Sequence, residues 1–407
     1  MSARHANVVT MTKSLRGTKN RIFQRAGVTA LAATLLAGVA VPTASAAGRD
    51  RPELRQAVRE FVDAGFAGMQ LRVRDERGEW TGSAGVRELG GTAKPPTDGH
   101  FRVGSTTKNF TATLTMQQVA DGKIGLDTPI AGFLPQFGFD KRITVRMLLQ
   151  HTSGLFNHTG EYFPDGTVVP GIPWSGPEWV AKRFHTYQPE ELVRLSLSKP
   201  PRFEPGAGWS YSNTNSVVLR LLVEKLSGRP FADELDRRIL RPLKLRDTLS
   251  PGSWSGMPKP YAHAYYPYQD AGQWKTIDVT HQNPSWASAA GDMISTTKDL
   301  QTYFSALQSG KLLPAWLLTE MRKTHPLSES LYGFYGLGQF TQDLGPGCPG
   351  TILNHNGSNN GYAALMYSTP DGGKTLTASI TAGDVVDAAQ KFPAELNKLL
   401  KTVFCGK

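Results

Sequence analysis

The chain has 407 residues, 39% of them hydrophobic and 19% charged, with a formal net charge of +11 and two cysteines. That length can bury a large core and divides most economically into two lobes. No lysine or arginine cluster with interleaved aromatics occurs, so nucleic-acid binding has no support.

Much of the excess charge sits at the start. Arg4, Lys13, Arg16, Lys19, Arg21 and Arg25 precede an apolar run from Ala26 to Val41, and Ala44-Ser45-Ala46 then offers a small-residue cleavage site. This is the pattern of a secretory leader cut after Ala46. The apolar run falls short of the roughly 20 residues that cross a bilayer, so no permanent membrane span is expected. Without residues 1–46 the net charge drops by six, and attraction to an anionic cell envelope is mild and unspecific. An exported chain meets oxidising conditions, so Cys348 and Cys405 are expected to pair.

In chain order, Asp50-Arg51-Pro52-Glu53 is a helix-start signature, and Leu54, Ala57, Val58, Phe61 and Val62 give one apolar face before Gly65. Residues 66–74 and 79–86 alternate around Asp75-Glu76-Arg77-Gly78 as a hairpin. A short strand at Phe101 leads through Gly104 into a helix bearing Phe110, Leu114 and Val119. From about 109 to 290 the text reads as helical with long connections, including helices near 144–149, 189–197 and 214–226. The stretch from Gly154 to Tyr187 is rich in Gly, Pro and aromatics (Phe163, Trp174, Trp179) and reads as an ordered wall over a pocket. Helices near 297–309 and 315–324 and strands near 335–341 and 351–354 follow. A hairpin, 362–368 with 374–382, turns at Pro370-Asp371-Gly372-Gly373, and an amphipathic helix closes the chain. The pattern predicts an α/β sheet domain from residues 47–108 and 290–407, interrupted by a helical domain over 109–289.

Ser105-Thr106-Thr107-Lys108 puts a hydroxyl at a helix N-terminus and an amine one turn later on the same face. A desolvated lysine can take the serine proton and make it a nucleophile. The spacing recurs at Ser196–Lys199 and Ser295–Lys298, where Pro200-Pro201 stops a helix in the first case and capping suits the residues in the second. Tyr211-Ser212-Asn213, just before the 214–226 helix, can present a phenol and a carboxamide to one spot; a phenol near Lys108 is expected to have a lowered pKa. In His355-Asn356-Gly357-Ser358, Gly357 lets a substrate backbone approach, and the Ser358 amide can join that of Ser105 as an oxyanion donor. His355 is expected to hold an electropositive corner. No histidine pair has metal-ligand spacing, so neither a metal nor another cofactor is expected.

The ordered set Ser105-x-x-Lys108, Tyr211-x-Asn213 and His355-x-Gly357 resembles the signature boxes of the penicillin-recognising serine hydrolases: class C β-lactamases, low-molecular-weight DD-peptidases and related esterases. Leu148–Leu155 is similar to a segment common there, and His in the third box with the two cysteines resembles secreted D-alanyl-D-alanine carboxypeptidases. The resemblance implies a β-lactamase/DD-peptidase-like fold, an antiparallel sheet flanked by helices with an inserted helical domain. It implies an acyl-enzyme on Ser105, with Lys108 and Tyr211 handling the proton. Asn213, His355, Asn356, Gly357, Ser358 and Trp286 would bind substrate. Peptidoglycan stem peptides, other D-amino-acid peptides and β-lactams are the implied partners. Where those peptidases carry two threonines and a strand arginine for the terminal carboxylate, this chain has Asn356, Ser358 and an arginine-free Gly338–Gln342. The resemblance implies first a D-alanyl-D-alanine carboxypeptidase acting on cell-wall peptides and acylated by β-lactams, with β-lactamase, esterase or D-amino-acid peptidase or amidase activity on the same scaffold as the alternative.

Overall fold

The computed structural model describes residues 50–406 apart from positions 164 and 349. The leader and its cleavage site lie outside the described residues. Helix α1 (Pro52–Asp63) precedes the hairpin β1 (Gly68–Asp75) and β2 (Gly78–Gly85). Helix α2 (Thr107–Ala120) follows the Ser105 turn, α3 (Asn213–Ser227) follows the Tyr211 segment, and β3 (Tyr265–Asp270) with β4 (Gln273–Asp278) forms a separate ribbon. Helix α4 (Thr297–Gln308) leads to β5 (Phe334–Tyr335), β6 (Phe340–Asp343), β7 (Thr351–Asn354), β8 (Gly357–Asn359), β9 (Tyr362–Ser368) and β10 (Thr375–Thr381), and α5 (Ala388–Leu400) follows.

The main sheet runs β2-β1-β10-β9-β7-β6-β5, with β8 also paired to β9. Every pairing in it is antiparallel. Strand alternation decides the two faces. Met69, Leu71, Val73, Leu365, Tyr367, Leu376 and Ile380 pack on one face against Leu54, Phe61 of α1 and Leu396, Leu399 of α5. Tyr362, Ala364 and Met366 point the other way and join a second core with Phe110, Leu114, Leu222 and Phe304. Two buried polar residues of that second face are bonded: Thr377 Oγ1 donates to the Thr297 carbonyl at 2.8 Å and Arg72 Nε to Thr297 Oγ1 at 3.3 Å.

Helix α2 departs from the one-faced helix its apolar residues predict. It is buried from Thr107 to Val119 on every side. Its polar residues survive because each finds a partner. Thr113 bonds Tyr303, Asn109 donates to the Gly338 carbonyl, Thr111 donates to the Ala289 carbonyl, and Gln118 donates to Glu234.

Two hairpins interrupt the stretch read as helical, a short one at Glu161–Tyr162 with Val168–Val169 and the β3–β4 ribbon. Pro267 lies inside β3, which an outlying two-stranded ribbon tolerates. The single strand expected near 335–341 is instead two, β5 and β6, folded back by a turn in which the Gly336 amide donates to the Gln339 carbonyl.

A disulfide joins Cys348, between β6 and β7, to Cys405 at the end of the turn that continues α5. It closes a loop over a sequence separation of 57 residues. We expect the Cys348→Ala/Cys405→Ala double variant to lose about 2–4 kcal/mol of unfolding free energy in urea titrations. A loss below about 0.5 kcal/mol would show that the cross-link adds nothing to the packing of α5 on α1.

Candidate active site

The strand Phe101–Arg102 pairs with Ile294–Ser295, and Gly104 then takes a left-handed φ of 51° to turn the chain into the first helical turn ahead of α2. Ser105 thus sits where amide groups have no acceptor within the helix. Strand β8 crosses directly against this turn. A β-carbon on Gly357 would lie 2.0 Å from the Val103 carbonyl oxygen and 2.6 Å from the Ser105 nitrogen. One on Gly104 would lie 2.3 Å from the Ser358 carbonyl oxygen and 2.6 Å from its nitrogen. The two glycines therefore let backbone meet backbone, and Ser105 and Ser358 line the same cleft. Thr106 Oγ1 donates to the His355 carbonyl at 2.9 Å and fixes the same junction. Gly357 was expected to admit a substrate backbone; the backbone it admits is that of the nucleophile turn.

Lys108 Nζ is buried 3.0 Å from Ser105 Oγ, 2.7 Å from Asn213 Oδ1 and 2.8 Å from the Ala290 carbonyl oxygen. Burial holds its amine well below the ordinary lysine value. The two oxygens of Asn213 and Ala290 can only accept, so a neutral amine gives them its two hydrogens and turns its lone pair to the Ser105 hydroxyl. That is the geometry of a general base on a nucleophile. Asn213 is itself fixed: Asn157 Oδ1 accepts its amide at 3.0 Å and its Nδ2 donates to Thr159 Oγ1 at 3.1 Å.

The Tyr211 ring lies 4.7 Å from Lys108 Nζ and packs on His151 at 4.5 Å. The lowered phenol pKa expected from the sequence does not hold. Burial pushes the Tyr211 phenol well above its ordinary value, with the Ser105 hydroxyl opposing only in part. A neutral lysine offers no cation to stabilise a phenolate, so Tyr211 rests as a proton donor. The electropositive corner at His355 is corrected for the same reason. Burial holds His355 neutral with a pKa down to about 3. Its Nδ1 donates to the Asn356 carbonyl at 2.9 Å, so Nε2 accepts from the Tyr335 hydroxyl at 3.2 Å.

Asn356 lines the cleft, but its carboxamide turns into the sheet, donating to Tyr367 at 2.6 Å and accepting the Met366 amide at 3.3 Å. Trp286 walls the cleft beside Asn213, and its carbonyl takes a hydrogen bond from His158 Nε2 at 3.0 Å. The aromatic stretch read as a wall does reach the cleft, through Tyr162 and Trp174. The competing serine–lysine spacings are elsewhere: Ser196 bonds the Phe156 carbonyl, and Ser295 bonds Thr248 while Thr296 caps α4. Sequence reasoning missed Asn157 and Thr159, which lie over 50 residues from Asn213 in an irregular stretch, and the Ala290 carbonyl, which no side-chain motif can reveal. It also missed His151, whose left-handed φ of 64° is unusual for a non-glycine residue. Among the described residues no cluster of His, Cys, Asp or Glu has the geometry of a metal site.

A family profile described as Beta-lactamase matches residues 54–398. The chain belongs to the Beta-lactamase family. Within this family it is a serine hydrolase. A solved structure of a D-stereospecific amidohydrolase from Streptomyces sp. is 37% identical, covering 88% of this chain and 99% of that one with a TM-score of 0.76. Esterase EstB of Burkholderia gladioli is 31% identical over 41% of each chain. Penicillin-binding protein 4* of Bacillus subtilis (strain 168) is 26% identical over 72% of this chain and 63% of its own. The match thus spans about two fifths to three fifths of these two curated relatives. The arrangement suits acyl transfer: Lys108 is placed to take the proton of Ser105 Oγ, and Ser105 and Ser358 line one cleft where their amides could serve an oxyanion. Tyr211, protonated and beside the nucleophile, is placed where it could donate to a departing group.

Gly357→Ala is expected to lower kcat/KM at least 100-fold with the fold retained, because the added methyl must push β8 off the nucleophile turn. Steady-state kinetics beside circular dichroism tests this; wild-type rates in the variant would detach the oxyanion geometry from the glycine contact. His158, buried between Thr214 and Trp286, has its pKa lowered from 6.5 to about 4. Between those values the unfolded chain binds the proton and the native chain refuses it, so His158 removes stability as pH falls from 6.5 towards 4. Urea midpoints at pH 7 and pH 4 are expected to differ less in His158→Gln than in the wild type.

Proposed function

We propose that the protein is an exported D-stereospecific amide hydrolase that cleaves uncharged acyl–nitrogen bonds next to a D-residue. One observation carries the choice. Among the described residues, none that lines the cleft on either side of Ser105 is an acid, a lysine or an arginine. The one amine at the nucleophile is the base Lys108, and His355 is neutral. A substrate with a free terminal carboxylate would lose its hydration without gaining a cation, which is costly. An amide or an internal peptide bond meets no such penalty. The D-configuration is supported by the 37% identity to the Streptomyces amidohydrolase over nearly its whole length. Export is supported by the basic leader and by the disulfide.

The D-alanyl-D-alanine carboxypeptidase is the second reading, favoured by the similarity to penicillin-binding protein 4*. Acylation by β-lactams goes with both readings, since the strained amide reaches the same serine. We expect N-acetyl-D-alaninamide to be hydrolysed with a kcat/KM at least tenfold above both its L-enantiomer and N-acetyl-D-Ala-D-Ala. Intact mass after fluorescent penicillin is expected to show one adduct in the wild type and none in Ser105→Ala. A preference for the free-carboxylate dipeptide would hand the assignment to the carboxypeptidase. Amide turnover surviving Ser105→Ala would overturn both.

A further inference from the structure

The cleft is two hollows of opposite character that meet at Ser105. The smaller, about 230 Å³, is walled by the amides of Asn157, Asn213, Asn359 and Asn360 together with Trp174 and Trp286. Such a lining suits the polar main chain of a peptide. The larger, about 500 Å³, runs from Ser105 past β8 to the far end formed by Phe66 and Phe392. Those two rings pack edge to face at 6.3 Å, and Phe61 holds both from behind at 5.9 and 6.2 Å. Ala363 on β9 and Ala389 on α5 leave volume that larger side chains would fill.

This size lies in the ~300–1000 Å³ range of small-molecule sites. Apart from the polar groups near Ser105 and Ser330, its walls are mostly aromatic rings and methyl groups that offer water few hydrogen bonds, so an apolar group gains by displacing it. We propose that this hollow is the subsite for a bulky apolar group, aromatic or branched aliphatic, attached directly beside the scissile bond. The inference rests on the amide-hydrolase reading and narrows it: the preferred substrate pairs a neutral, polar side with a large apolar one. The apolar group belongs either to the side chain of the acyl residue or to the departing amine, two sources of one chemistry.

Two substrate series separate them. In the first, N-acetyl-D-amino-acid amides carry the side chain of alanine, leucine or phenylalanine with ammonia as leaving group. In the second, N-acetyl-D-alanine is fixed and the leaving amine grows from ammonia to benzylamine. The wild type is expected to gain at least tenfold in kcat/KM with size in one series. Ala389 lies exposed in the first turn of α5, so Ala389→Phe intrudes on the hollow without entering the core. In that variant the ratio of bulky to small substrate is expected to fall at least tenfold in the same series. A flat response in both series, or a ratio that Ala389→Phe leaves intact, overturns the subsite. Failure to turn over any amide in either series would instead sink the amide-hydrolase reading beneath it.

Discussion

The site depends on a contact between two stretches of backbone. The turn that presents Ser105 and the strand that presents Ser358 touch without a side chain between them, because Gly104 and Gly357 face each other across the junction. Any β-carbon at either place would meet carbonyl oxygen or amide nitrogen well inside van der Waals distance. Backbone atoms cannot swing aside as a flexible side chain can, so the contact is rigid. It sets two amides on one cleft by geometry that mutation of a side chain elsewhere cannot easily restore.

Rigidity at that junction comes from the rest of the fold. The nucleophile turn is held from one side by the pairing of Phe101–Arg102 with Ile294–Ser295, and β8 is held by β9 in the sheet. Helix α2 is clasped on all sides, which is also what strips water from Lys108. Burial serves structure and chemistry together here: the desolvation that would destabilise an ammonium leaves a free lone pair where the serine proton must go. Tyr211, His151 and His355 share that dry setting and stay uncharged. At rest the site is a set of neutral groups, with the amine of Lys108 and the cleft-lining amides oriented around Ser105.

Disposition of the two hollows follows from topology. β8 ends the sheet locally, and the cleft extends around it to the face that α1 and α5 cover. Phe66 enters β1 and Phe392 lies on the last helix, so residues over 300 positions apart meet at the far end of one cavity. The N- and C-terminal strands β1 and β10 lie side by side, which is why both ends of the chain can shape the same pocket.

How much was legible from the residues alone follows from where each signal resides. Ser105, Lys108, Tyr211, Asn213 and His355 stand in ordered short motifs, because each box is a local turn or helix start whose chemistry is written in consecutive residues. The sheet-and-helix class was legible too, since alternation and helical periodicity are local properties. The β3–β4 ribbon was not, because Pro267 and its exposed aromatics blur the alternation of an edge hairpin. Ionisation was legible only in part: the desolvated Lys108 was read from the residues, but the Tyr211 phenol, expected to fall beside it, is raised by burial from every side. The sequence by itself marked the groups that the fold gathers at the cleft. Only the tertiary structure decided their charge, the glycine contact that aligns them and the two hollows beside them, because desolvation and shape belong to neighbours that are distant in the chain.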